Sequence, residues 1–177
     1  MRGINHIVLY VSDLERSLQF YESVLGFERL PGGFPGGAFL RCAGSANDHD
    51  LGLFQASNRA AAAAGSVGLY HVAWEVATLS DLAAVRERLE RAGAETGASD
   101  HGSTKALYGR DPDGIEFEVC WLVPDECVEE ALRPGIAMTA PLDIPAEIAR
   151  YGATTPGGPR TDATVWERVA ARLAAGR

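Results

Sequence analysis

The chain carries an internal repeat, and that repeat limits its fold more than any other feature. Shifted by 65 residues, so that His6 falls on His71, INHIVLYVSDL lies over LYHVAWEVATLSDL, and GFE lies over GAE at the two helix exits. In the first copy a branched run from Ile4 to Val11 reads as a strand. It is followed by a helical spacing of Leu14, Leu18, Tyr21 and Leu25, with Ser12 or Asp13 as N-cap and Gly26 as the stop. Phe27 to Leu30, AFLRCAG and DLGLFQAS then read as three further strands separated by turn residues. The second copy repeats this order and closes with a strand around Lys105 to Gly109, a DPDG turn at Asp111 to Gly114 and a strand from Ile115 to Leu122.

Two β-α-β-β-β modules are therefore expected, at residues 1–57 and 67–123. An Ala-rich spacer separates them, and a Pro-rich extension with short helices follows over 124–177. A single module cannot bury a four-stranded sheet face. The class expected is thus α+β, with the paired modules forming one curved, barrel-like mixed sheet around a shared interior. In the extension, Asp143 to Tyr151 reads as a short helix. Thr161 to Ala175 reads as a longer one with Val165, Val169 and Leu173 as its apolar stripe, to dock on this chain or on a neighbouring subunit.

Composition excludes several function classes. The 24 acidic residues outweigh 16 basic ones, giving a net charge of -8, and no Lys/Arg run is present, so a nucleic-acid partner is not expected. No 18-residue apolar stretch exists, and the first strand begins at once without a leader-like segment, so no membrane association is expected. The odd set Cys42, Cys120 and Cys127 lacks CxxC spacing, which points to a reducing, cytoplasmic setting.

The chemistry is concentrated in few residues. His6 and His71 occupy equivalent places in the first strands of the two repeats, and pairing the modules would turn both imidazoles inward. Glu116 and Glu118 in GIEFEVCW share one face of the last strand, so either carboxylate is available to join the histidines. Two His and one carboxylate form the facial set with open positions that non-haem Fe(II) oxygenases use. Glu15 reads as a solvated charge, and so do Glu116 and Glu75, although Glu116 shares a face with Glu118 and Glu75 one with His71, so periodicity alone dismisses neither.

Residues 4–123 resemble the vicinal oxygen chelate superfamily of glyoxalases, bleomycin-resistance proteins and extradiol dioxygenases. NHIVLYVSDLERSLQFYESVLGFE resembles a first module, and GLYHVAWEV with SDHGSTKALYGRDPDGIEFEVCW is similar to the catechol 2,3-dioxygenase branch. The resemblance implies metal ligands at His6, His71 and Glu118, a catalytic Tyr108 ten residues before that Glu, and His49 as acid or base. It also implies a substrate-binding role for His101. The implied cofactor is Fe(II), with Mn(II) as the alternative. The implied activity is extradiol cleavage of a catechol-type diol by O2, in a homo-oligomer, a dimer. A glyoxalase would need a further Glu from the first module's last strand, where LGLFQ offers only Gln55. The other readings are an isomerase or epimerase of the same superfamily, or a metal-free ligand-sequestering resistance protein. Members of the dioxygenase branch carry four modules and this chain two, so the extension becomes the candidate for the missing pocket wall.

Overall fold

The computed structural model describes residues 3–58, 67–131, 139–158, 164–165, 167–168 and 170–171. The α+β class is as the repeat implies. In place of the single curved sheet expected, hydrogen bonding groups the strands into two four-stranded mixed sheets, not closed into a barrel. The cause lies in the pairing: each module's first strand runs parallel to its own last strand, so the ladders stay within a module. The chain divides into two compact units. One holds the residues up to Tyr70 together with Arg110–Ile115, and the other holds His71–Gly109 together with those from Glu116 onward.

In the first unit, β1 (Ile7–Val11) leads into α1 (Leu14–Phe20), which widens into a π-helical turn over Tyr21–Leu25. Asp13 is the cap, its carboxylate accepting from the Arg16 N–H at 3.1 Å. Gly26, at φ 81°, stops the helix in the left-handed region that glycine enters without a Cβ penalty. The strands β2 (Glu28–Arg29), β3 (Gly37–Arg41) and β4 (Leu51–Gln55) complete a sheet of order β1-β4-β3-β2. Alternation sorts its faces. Leu9, Val11, Leu40, Leu51 and Leu53 are buried, as are Leu18, Tyr21, Val24 and Phe27, each full burial contributing about 1.5–3 kcal/mol. His6, Val8 and Tyr10 are exposed on the other face.

The DPDG turn lies within the second repeat in sequence but packs in this first unit. Asp111 is buried and accepts from the N–H groups of Asp113 and Ile115, both at 2.9 Å, and from the Tyr21 hydroxyl at 3.1 Å. Asp113 accepts from the Ser12 N–H at 2.9 Å and from Arg16 at 3.1 Å.

The second unit has β5 (Val72–Glu75), α2 (Leu79–Ala92), β6 (Glu95–Asp100), β7 (Thr104–Arg110) and β8 (Glu116–Leu122), in sheet order β5-β8-β7-β6. Thr78 and Asp81 close a capping box on α2. The helix buries Leu79, Leu82, Val85 and Leu89, and the strands bury Leu107, Phe117, Val119 and Trp121. The extension belongs to this unit. A short helix α3 (Val128–Ala131) precedes α4 (Ile144–Tyr151), which Asp143 caps. Gly157 lies so flat on Trp121 that a Cβ there would come within 2.6 Å of the indole nitrogen. Val165 is buried against Val128, so that part of the expected stripe docks on its own chain, whereas Val169 and Leu173 lie outside the described residues. The Ala-rich spacer lies outside them from residue 59 to 66. No described helix is long and apolar enough to cross a membrane.

Candidate functional site

Each unit brings part of the expected set together. In the first, His6 sits just ahead of β1, and its ring lies 4.4 Å from that of His49, which comes from the turn before β4. The amide oxygen of Asn5 lies 2.8 Å from His6 Nδ1. That contact selects the tautomer with the proton on Nδ1 and leaves the Nε2 lone pair for a ligand. From His49 a run of ring contacts continues through Phe39 (4.8 Å) to Phe54 (6.1 Å), and Phe34 (5.1 Å) and Tyr10 (6.4 Å) flank Phe54. The His6 face is thus walled by aromatic rings.

Gln55 is not on that face. In the parallel register of β1 and β4, Val8 pairs with Gly52 and Tyr10 with Phe54, so these two β4 residues share the His6 side. The Gln55 amide turns to the helix instead, its oxygen accepting from the Leu14 N–H at 3.0 Å and its nitrogen donating to the Ser12 carbonyl at 2.7 Å.

In the second unit, His71 Nε2 and Glu118 Oε2 are 3.3 Å apart, with most of both side chains buried. Glu118, opposite Ala73 in the β5–β8 register, is therefore the carboxylate that reaches the histidine. The Tyr108 ring lies 6.2 Å from that of His71, and its hydroxyl is 2.8 Å from His101 Nε2. On the other side of the imidazole, the Thr139 hydroxyl is 3.4 Å from Nδ1. Burial pushes the Cys120 thiol up to about 12, with the charges of Glu118 and Glu75 adding to it. It stays protonated and offers no competing thiolate. Glu75 itself is raised by burial.

These donors suit a divalent ion. Metal bonds of about 2.1 Å at right angles would put a nitrogen and an oxygen about 3.0 Å apart, close to the His71–Glu118 spacing. The Asn5 contact gives His6 the outer hydrogen bond usual for a ligating histidine. Among the described residues no three His, Cys, Asp or Glu side chains already form a metal-holding group. Asn5, Thr139 and the aromatic wall escaped sequence reasoning. An Asn directly before the strand histidine was a readable signal, but Thr139 is brought near His101 only by the fold.

Residues 3–119 match the model of the Glyoxalase/Bleomycin resistance protein/Dioxygenase superfamily. The chain belongs to this superfamily. Among its relatives in the superfamily is a lactoylglutathione lyase of Neisseria meningitidis serogroup A, 32% identical over an alignment of 121 positions that covers 64% of this chain and 86% of the relative. A catechol-2,3-dioxygenase of Bacillus subtilis is also 32% identical, over 119 residues covering 66% of this chain but only 40% of that protein. The crystal structure of a glyoxylase/bleomycin resistance protein/dioxygenase domain from Frankia sp. EAN1pec superposes with a TM-score of 0.54. It is 26% identical and covers 68% of this chain and 97% of that one. Superfamily members commonly bind a divalent metal and act on small molecules, and the named activities of these relatives differ.

Proposed function

We propose that the protein is an extradiol dioxygenase that holds Fe(II) with His6, His71 and Glu118 and cleaves a catechol-type diol. The observation that carries this reading is the register of β4, which presents Gly52 and Phe54 on the His6 side while Gln55 turns to the start of α1. A second carboxylate ligand is missing from the strand where a lyase of this superfamily would need one. A set of two histidines and one carboxylate would suit an oxygen-using iron better than a two-glutamate site would.

Held by His6, His71 and Glu118, the iron would supply the one-electron chemistry that lets a diol react with O2. The ring C–C bond beside the diol breaks and both atoms of O2 enter the product, so no external reductant is needed. The side chains do the rest. Phe39, Phe54 and Phe34 offer apolar ring faces to an aromatic substrate. The Tyr108 hydroxyl, oriented by His101, donates to a substrate oxygen as charge builds there. His49, against His6, moves the diol proton, a role typically worth roughly 10²- to 10⁴-fold in rate.

The test is anaerobic reconstitution with Fe(II), followed by catechol, 3-substituted catechols and 2,3-dihydroxybiphenyl on an oxygen electrode. O2 uptake with a yellow ring-cleaved product is expected. Stoichiometric iron without O2 uptake across the panel would overturn the reading. The high coverage of the Neisseria relative favours lactoylglutathione as the second substrate to try, and its turnover without O2 would place the activity with the lyases.

A further inference from the structure

We propose that the C-terminal extension is a working part of the site, in which Thr139 and an ion cluster on Lys105 position the His101–Tyr108 pair. The inference rests on the reading above only in taking Tyr108 to face substrate. The family match ends at residue 119, so the extension lies beyond the shared modules.

Lys105 is the only lysine in the sequence, and its side chain is wholly buried. An ammonium removed from water persists only when paired. Its Nζ lies 2.5 Å from Asp100 Oδ1, in a hydrogen-bonded ion pair, and 3.0 Å from Glu147 Oε2. The second contact is an ion pair without hydrogen-bond alignment, since that oxygen has no hydrogen-bond partner among the described residues. One lysine thus ties β6, β7 and α4 together.

The same Asp100 oxygen also accepts from the Gly102 N–H at 2.8 Å, fixing the turn that carries His101. Closing that turn, the His101 N–H donates to the Thr104 carbonyl at 2.9 Å. The backbone of Asp100 exchanges two hydrogen bonds with Ala140, at 2.8 and 2.9 Å, which sets the neighbouring Thr139 against His101 Nδ1. Alternation along β7 sends Lys105 to the helix side and Tyr108 to the opposite face. The cluster therefore acts on Tyr108 through the 101–103 turn. A role confined to packing would not require the extension to touch His101. Contact at both the turn and the imidazole is what positioning needs.

The experiment uses the full chain with iron bound, and four variants: Thr139→Val, Lys105→Met, Lys105→Arg and Glu147→Gln. Ring ¹⁵N shifts of His101, assigned with His101→Gln, report the imidazole contact, and amide exchange at Gly102 and Ala140 reports docking. Thr139→Val is expected to move the His101 Nδ1 shift, leave exchange unchanged, and lower kcat about tenfold at constant iron content, the low end for an outer hydrogen-bond partner. Lys105→Met should speed exchange at both amides and lower kcat further, with Lys105→Arg recovering part of the loss. Should Lys105→Met not fold, Glu147→Gln keeps the volume, removes one charge and should speed exchange at Ala140. Unchanged His101 shifts in Thr139→Val, or unchanged exchange in the cluster variants, would overturn the proposal, as would activity lost only in proportion to iron. If no diol is turned over, shifts and exchange still decide the positioning, and the failure falls on the reaction alone.

Discussion

His49 and His6 show how much a single side chain conveys without its surroundings. Their ring contact follows from a turn placed next to the start of β1, and only the repeat marked His6 as special. The repeat equally marked His71, and strand alternation left two candidate carboxylates, between which the 3.3 Å spacing to His71 selects Glu118. Asn5 was overlooked although it stands directly before His6, its partner, whereas Thr139 was not legible, because its role exists only once a distant segment brings it to His101. Replacing Glu118 by Ala is expected to remove bound iron, measured as metal per chain after desalting. His49→Gln should keep the iron and slow turnover by roughly 10² or more, read as kcat under saturating diol. A further residue-scale effect concerns pH. Burial, then the Asp50 charge, pushes the Cys42 thiol from 9.0 up to about 12. The unfolded chain then loses this proton first, so stability is full below about pH 9 and falls as pH rises toward 12. Urea midpoints across that range should fall less steeply in Cys42→Ala than in the parent.

At the scale of elements, strand alternation and the Asp13 cap were readable because they are local, and Thr78 and Asp143 prove to be caps of the same kind, each satisfying an N–H three residues on. Gln55 was not readable in this way. Its place at the end of β4 suggested a weak ligand, but the one-residue offset of a strand sends it to the helix side, where it bridges β4 and α1. Lys105 is a similar case, since a lysine inside an apolar strand marks a buried charge but not the helix that pairs it. The only lysine of the chain gives a direct check on α4. An amine-directed reagent, followed by peptide mapping, should leave Lys105 unlabelled in the native protein and label it only on unfolding. Label uptake by Lys105 in the native state would mean that the cluster opens. Lys105→Met leaves two carboxylates in the interior without their counter-charge, and is expected to lower unfolding free energy by about 3–5 kcal/mol.

Across the whole chain, the order in sequence and the order in space part company at one turn. Asp111 and Asp113 follow β7, within the stretch that repeats the first module, yet they pack in the first unit, which is therefore discontinuous. The composition of that turn announced a reversal and nothing about its partners. Its contacts are substantial: Asp111 holds the Tyr21 hydroxyl inside the first unit, and Asp113 holds the Ser12 N–H and Arg16 at the start of α1. Burial and the Asp111 charge both raise the Tyr21 phenol well above its usual value, so it acts as a donor over the whole neutral range. Asp111→Ala would strand that hydroxyl and two backbone N–H groups away from water, at about 1–3 kcal/mol for each group left unpaired. The loss should therefore appear far away in sequence. Amide exchange in Asp111→Ala is expected to speed up across α1 and the Tyr21–Leu25 turn, while α2, which belongs to the other unit, keeps its protection. Faster exchange confined to β7 and β8 would instead mean that the turn only joins those two strands, and that the first unit holds together without it.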